Sequence, residues 1–119
     1  MKKEITMPKA IARFIRAVNE HDADAFLSSF SNGALVTDVG REFRGTAAIK
    51  EWGKSEIFEF NVTLDVVNVT ERDGETVVTV KVDGTFGKTG LPDPLLLNHH
   101  LTLGDDKITA FKSQLAGDE

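Results

Sequence analysis

Two residues in this chain have the chemistry to move a proton at a defined place: Asp38 and His99. Asp38 ends the apolar run Ala34-Leu35-Val36-Thr37 and precedes a tight turn at Gly40-Arg41. A short extended piece, Glu42 to Arg44, follows. Gly45 and Thr46 then open a helix that carries Ile49 and Trp52. A carboxylate at a strand end, walled by aromatic and aliphatic side chains, is partly desolvated. Desolvation raises its pKa and suits it to general acid–base work near neutrality. Two readings fit Asp38: this base, or an Asx-type turn residue accepting a hydrogen bond near Gly40.

His99 and His100 are neighbours on a predicted strand, so they point to opposite faces and cannot easily chelate one metal. Leu95, Leu97, His99, Leu101 and Leu103 share one face; Leu96, Asn98, His100 and Thr102 share the other. The leucine-rich face is expected inside. His99 is then either a core histidine bonded to a neighbour or an imidazole paired with Asp38 that polarises a substrate oxygen. His100 and Asn98 are expected on the outer face or at a dimer contact. His21, beside Asp22, reads as a solvated turn residue.

Any pocket on this scale is mainly apolar with few polar anchors. Phe14, Trp52, Phe58 and Phe86 are the expected walls, and the remaining phenylalanines the core. Arg41 and Arg44 flank the Asp38 turn, either solvated or clamping a carboxylate substrate. The segment GKTGLPDP (87–94) lacks phosphate-loop spacing. Its Lys88-Thr89 is expected to face solvent, with the loop over the pocket mouth.

The elements that must position these groups are legible from periodicity. Met7, Ile11, Phe14, Ile15 and Val18 recur at helical spacing, predicting a helix from about Pro8 to Asn19 with Thr6 and Pro8 as start signals. Asp22 can cap a second short helix with a stripe of Ala23, Phe26, Leu27 and Phe30. Asn32-Gly33 punctuates the chain. A strand is predicted at about Leu35 to Val39 and a third helix at about Thr46 to Ser55. Beyond Phe60 the period becomes two. Strands are predicted over Asn61–Arg72, Glu75–Phe86, Leu95–Leu103 and Lys107–Leu115. Asp73-Gly74 is a two-residue hairpin signal, and Gly104-Asp105-Asp106 turns the chain again. Three helices packed in the concave face of a strongly bent, mostly antiparallel mixed sheet give an α+β architecture.

A chain of 119 residues fits one domain, 1–119. At 40% apolar and 28% charged residues its composition is ordinary for a globular protein. Fourteen Lys and Arg against nineteen Asp and Glu, a net charge of −5, argue against nucleic acid as a partner. No run of eighteen apolar residues exists to span a membrane. With no Cys, disulfides, thiol nucleophiles and thiolate metal sites are excluded together, and a cytoplasmic location is the expectation. Neither a metal nor a cofactor is expected.

The order of elements, with FIRAVNEHDADAFLSSF at the helix junction, the Asp38 strand, the glycine turn, RGTAAIKEW and a closing four-strand meander, resembles the NTF2-like superfamily. Within it the chain resembles the SnoaL-like and ketosteroid-isomerase-like branch, over nearly its whole length. The resemblance implies a cone-shaped α+β fold that binds a small apolar or aromatic molecule, and homodimers formed through the outer sheet face. It also implies a general base on the first strand, the position of Asp38. The branch's oxyanion donors, a helix-one tyrosine and a late-strand protonated aspartic acid, fall on Phe14 and on or next to His99, and the chain contains no Tyr. Steroid isomerisation is therefore not expected. Two functions remain. One is a cofactor-independent isomerase, dehydratase or cyclase with Asp38 as base and His99 as polar partner. The other is a non-catalytic ligand-binding or dimerisation module with a vestigial cavity.

Overall fold

The computed structural model describes residues 7–87, 89–91 and 94–116. Helix α1 (Lys9–Asn19) buries the predicted stripe of Ile11, Phe14, Ile15 and Val18. Pro8 occupies its N-cap, and the Pro8 carbonyl accepts from the Ile11 and Ala12 amides. Thr6, the other expected start signal, lies outside the described residues. Asp22 caps α2 (Ala23–Ser28) through Oδ1, which accepts from the Ala25 amide at 3.1 Å.

Strand β1 (Phe30–Asp38) starts earlier than predicted. Phe30, expected on the α2 stripe, is its first residue; it stays buried at 6% exposure with its ring 5.4 Å from that of Phe26. The Asn32-Gly33 punctuation is an irregularity inside the strand. Phe30 pairs with Ile108 and Leu35 with Ala110, so the intervening residues bulge out of register. The turn to β2 (Arg41–Arg44) is centred on Val39-Gly40 rather than on Gly40-Arg41, because Asp38 pairs directly with Arg41. Both central residues have positive φ, 48° and 84°, as a two-residue hairpin requires. For a β-branched residue this is strained, and Val39 is 74% exposed, so no burial offsets it.

Helix α3 (Thr46–Gly53) ends sooner than predicted and passes into a π-helical turn at Lys54–Phe58. The Glu59 amide bonds back to the Lys54 carbonyl at 3.0 Å, and that of Val62 to Ile57 at 3.0 Å. A side chain at Gly53 would meet the Phe26 ring at 2.5 Å, which explains the glycine where α3 crosses α2.

Strands β3 (Thr63–Arg72), β4 (Glu75–Asp83), β5 (Leu96–Gly104) and β6 (Lys107–Leu115) form the antiparallel meander. The Asp73-Gly74 hairpin has the positive φ values read from its sequence. The six-stranded sheet runs β2-β1-β6-β5-β4-β3, with β1 and β6 parallel. It is mixed and open, and the helices cover its inner face. The amide side chain of Asn19, at the end of α1, accepts from the Leu64 amide at 2.7 Å and donates to the Leu64 carbonyl at 2.9 Å. This ties the edge strand β3 to the helix layer in the way a neighbouring strand would. No helix among the described residues is long and apolar enough to cross a membrane.

Candidate functional site

The open end of the sheet and the helix layer enclose a cavity of about 360 Å³, a usual size for a small-molecule site. Its walls are aromatic and aliphatic: Phe14 and Val18 from α1, Trp52 from α3, Val82, Leu97 and Phe111 from the sheet, and Phe86, Leu91 and Leu95 from the β4–β5 connection. Lys88, expected in solvent on that connection, lies outside the described residues, as do Pro92 and Asp93. Phe58 is not a wall. Its ring stands perpendicular to Phe26 at 5.3 Å, and Phe60 lines the space instead. The π-helical turn changes the facing that a regular helix would give these two rings.

Asp38 lies at the rim, at the end of β1, with its side chain 20% exposed. Its Oδ2 accepts from Trp52 Nε1 at 3.0 Å and from Arg41 Nη2 at 3.2 Å. The strand end, the hairpin and α3 thus fix one carboxylate oxygen by bonds from two elements. Both bonds fall on Oδ2. The same Arg41 Nη2 also donates to Glu56 Oε1 at 2.8 Å, so the guanidinium bridges two of the chain's own carboxylates. Glu56, and then Asp38, hold the Arg41 guanidinium charged. Arg44 donates to the Gly33 carbonyl and does not line the cavity.

His99 faces inward, as the alternation on β5 predicts, and is 5% exposed. Neither sequence reading of its partner holds. Among the described residues no hydrogen bond joins it to Asp38, and its Nδ1 is a buried nitrogen with no partner. The reason is register. Asp38 pairs with Ser113 on β6, and Ser113 pairs with His99 on β5. The two residues are therefore separated by one strand, with backbones roughly 10 Å apart. Packed beside Phe111 at 4.7 Å and Phe14 at 6.4 Å, the imidazole is pushed down to about 3, chiefly by burial and secondarily by His100. It is neutral at physiological pH.

The row Asp38–Ser113–His99 gives the cavity one polar wall opposite apolar ones. Ser113 was not singled out in the sequence, although it follows Phe111 by two residues and so must share its face. Glu56 was also missed. It lines the cavity four residues after Trp52, one helical turn further along the same side. On the outer face, Thr79 donates to Asn98 at 2.6 Å, and His100 Nδ1 lies 2.9 Å from Glu75 Oε1. Among the described residues no group of three or more His, Asp or Glu could hold a metal ion.

Comparison with known proteins places this geometry. A candidate polyketide cyclase from Sinorhizobium meliloti shares the fold with a TM-score of 0.81 at 24% identity, over 91% of this chain and 95% of that one. A Catenulispora acidiphila protein of ketosteroid-isomerase-like fold, solved with trimethylamine, gives 0.75 at 17% identity over 94% and 88%. TerC, co-crystallised with polyporic acid, gives 0.75 at 20% identity over 90% and 88%. At these identities the likeness is one of fold. No curated protein matches the chain in sequence. The SnoaL-like domain pattern matches residues 11–111, from the buried face of α1 to the inner face of β6, and the chain belongs to the SnoaL-like domain family.

Proposed function

We propose that this protein binds a small apolar or aromatic molecule in the cavity, with Asp38 as a general base and His99 as a neutral hydrogen-bond partner for a ligand oxygen. The observation that carries the reading is a carboxylate with one oxygen anchored by Trp52 and Arg41, at the edge of an apolar cavity it shares with a buried imidazole. An anchored base loses little orientational freedom when it abstracts a proton. A neutral imidazole can donate to, or accept from, an oxygen on the ligand without a change of charge. Structural neighbours solved with trimethylamine and with polyporic acid support a small-molecule ligand. The chemistry that suits this arrangement is cofactor-independent proton transfer next to a carbonyl, as in an isomerisation, dehydration or aldol-type cyclisation.

The second reading is a binder without chemistry. It is favoured by the anchoring of Asp38, since bonds to Trp52 and Arg41 also describe a structural carboxylate. Exchange of the α-protons of alpha-tetralone in deuterium oxide, followed by NMR, separates the two. The first reading expects exchange accelerated by the wild-type protein and reduced roughly a hundredfold in Asp38→Asn. Equal exchange with the two proteins removes Asp38 as the base. Binding of tetralone without accelerated exchange leaves the binder.

We also propose that two copies pair through the outer sheet face, on which the apolar Leu96 shares a strand face with Asn98 and His100. Sedimentation equilibrium at micromolar concentration is expected to give twice the mass of the chain, and a monomer there would reject the pairing.

A further inference from the structure

The cavity's charges are one-sided. Among the described residues Asp38 and Glu56 line it, no Lys or Arg does, and the third titratable residue on its wall is His99. Arg41 bridges the two carboxylates from outside, its side chain 57% exposed, with Nη2 2.8 Å from Glu56 and 3.2 Å from Asp38. One cation between two anions leaves the mouth with a net charge of −1. An anionic ligand entering there meets two carboxylates, and Arg41 Nη2 is already engaged by both. The deep wall points to a ligand of a different kind. His99 lines that wall with an imidazole only 5% exposed, and a neutral ring can bond a hydroxyl or carbonyl oxygen of a ligand without a change of charge.

We propose that the cavity takes an uncharged ring molecule bearing a hydroxyl or carbonyl oxygen and rejects carboxylates, and that Glu56 is the residue that sets this preference by occupying Arg41. The inference rests on the binding reading above and adds a ligand class and a specificity-determining residue to it. Glu56 acts through Arg41. With its charge removed, the two carboxylates and one guanidinium are reduced to one pair, and the guanidinium is held by the longer contact to Asp38 and by its place 5.6 Å over the Phe43 ring. It is then able to turn toward an entering anion. The effect is electrostatic at a partly exposed site, so it is moderate in size and weakens with salt.

Calorimetric titration with naphthol and with naphthoate, near neutral pH and at low salt, tests this. These probes share a ring body and differ in charge. Wild-type protein is expected to bind naphthol at least about tenfold more tightly than naphthoate. In Glu56→Gln that ratio is expected to fall by roughly three- to tenfold, through tighter naphthoate binding with naphthol little changed. Arg41→Gln is expected to move naphthoate the other way, weakening it further. Opposite shifts in two surface variants cannot come from a common loss of fold. A wild type that binds both probes equally, or a Glu56→Gln variant whose ratio is unchanged, overturns the charge preference while leaving the binding reading intact. Failure of both probes to bind the wild type overturns the binding reading and this inference with it.

Discussion

Acidifying the protein from pH 6 to pH 4 is expected to remove about 2–3 kcal/mol of folding stability through His99 alone. The imidazole is 5% exposed, has a nitrogen without a partner and sits against Phe111 and Phe14. Burial first, and His100 second, push it down to about 3 in the folded chain, against about 6.5 when unfolded. Between those values the unfolded chain binds a proton that the folded chain refuses. Stability therefore rises with pH across this window, by about 1.4 kcal/mol per unit for one site. It is complete above the unfolded value and is lost as pH falls toward the folded one.

Other ionisable groups lie near His99. Asp38 and Glu56 share the cavity, and His100 next to it faces Glu75 across the sheet. The comparison is therefore between the wild type and His99→Leu by urea unfolding at a series of pH values. The leucine variant is expected to show a flatter profile between pH 4 and 6. At neutral pH it should be about as stable as the wild type or slightly more so, because it removes a buried polar atom that nothing bonds. Parallel profiles for the two proteins would show that the imidazole is not the group responsible. The same experiment bears on function. A histidine that stays neutral to pH 4 can serve a ligand as a hydrogen-bond partner at physiological pH, and it cannot serve as a cation there.

How far the site can be read from sequence depends on whether the relevant backbone is regular. β5 alternates cleanly, so His99 could be placed on the inner face from period alone. The Asp38 strand, turn and helix carry strong local signals, and they bring Asp38 to Trp52 Nε1 at 3.0 Å. Partnership across the sheet is another matter. Whether Asp38 meets His99 depends on which strands are neighbours. The parallel pairing of β1 with β6 interposes Ser113, and no local pattern announces it. The π-helical turn is equally silent in sequence: Glu56 and Ile57 within it line the cavity while Phe58 does not. The early start of β1 was hidden because Asn32-Gly33 reads as a break, and here the bulge absorbs it. Regular elements could be predicted with their faces, while irregular residues and long-range pairing decided which side chains meet in the cavity.

Phe111→Ala is expected to cost about 3–5 kcal/mol, the largest loss from any single truncation considered. Phe111 is 2% exposed on β6, at the centre of the inner face. Its ring lies 5.4 Å from Phe14, 6.4 Å from Phe30, 5.6 Å from Trp52 and 4.7 Å from His99. These neighbours come from α1, β1, α3 and β5, so removing the ring takes contacts from both the helix layer and the sheet. Their backbones are fixed by regular hydrogen bonding, so collapse into the vacated space is limited and the cavity term is paid nearly in full. For a domain of this size the melting temperature should drop on the order of 10–20 °C, against a total stability of only about 5–15 kcal/mol. Phe111→Leu, which keeps most of the apolar volume, is expected to retain the fold at a cost of about 1–2 kcal/mol. A loss under about 1 kcal/mol for the alanine variant would show that the layers are held together elsewhere. The ring also lines the ligand cavity, so in this chain the wall of the site and the centre of the core are the same side chain. Phe111→Leu is therefore the variant in which binding can be separated from stability: a folded protein with weakened naphthol affinity would mean that the ring contributes to the ligand surface beyond holding the layers in place.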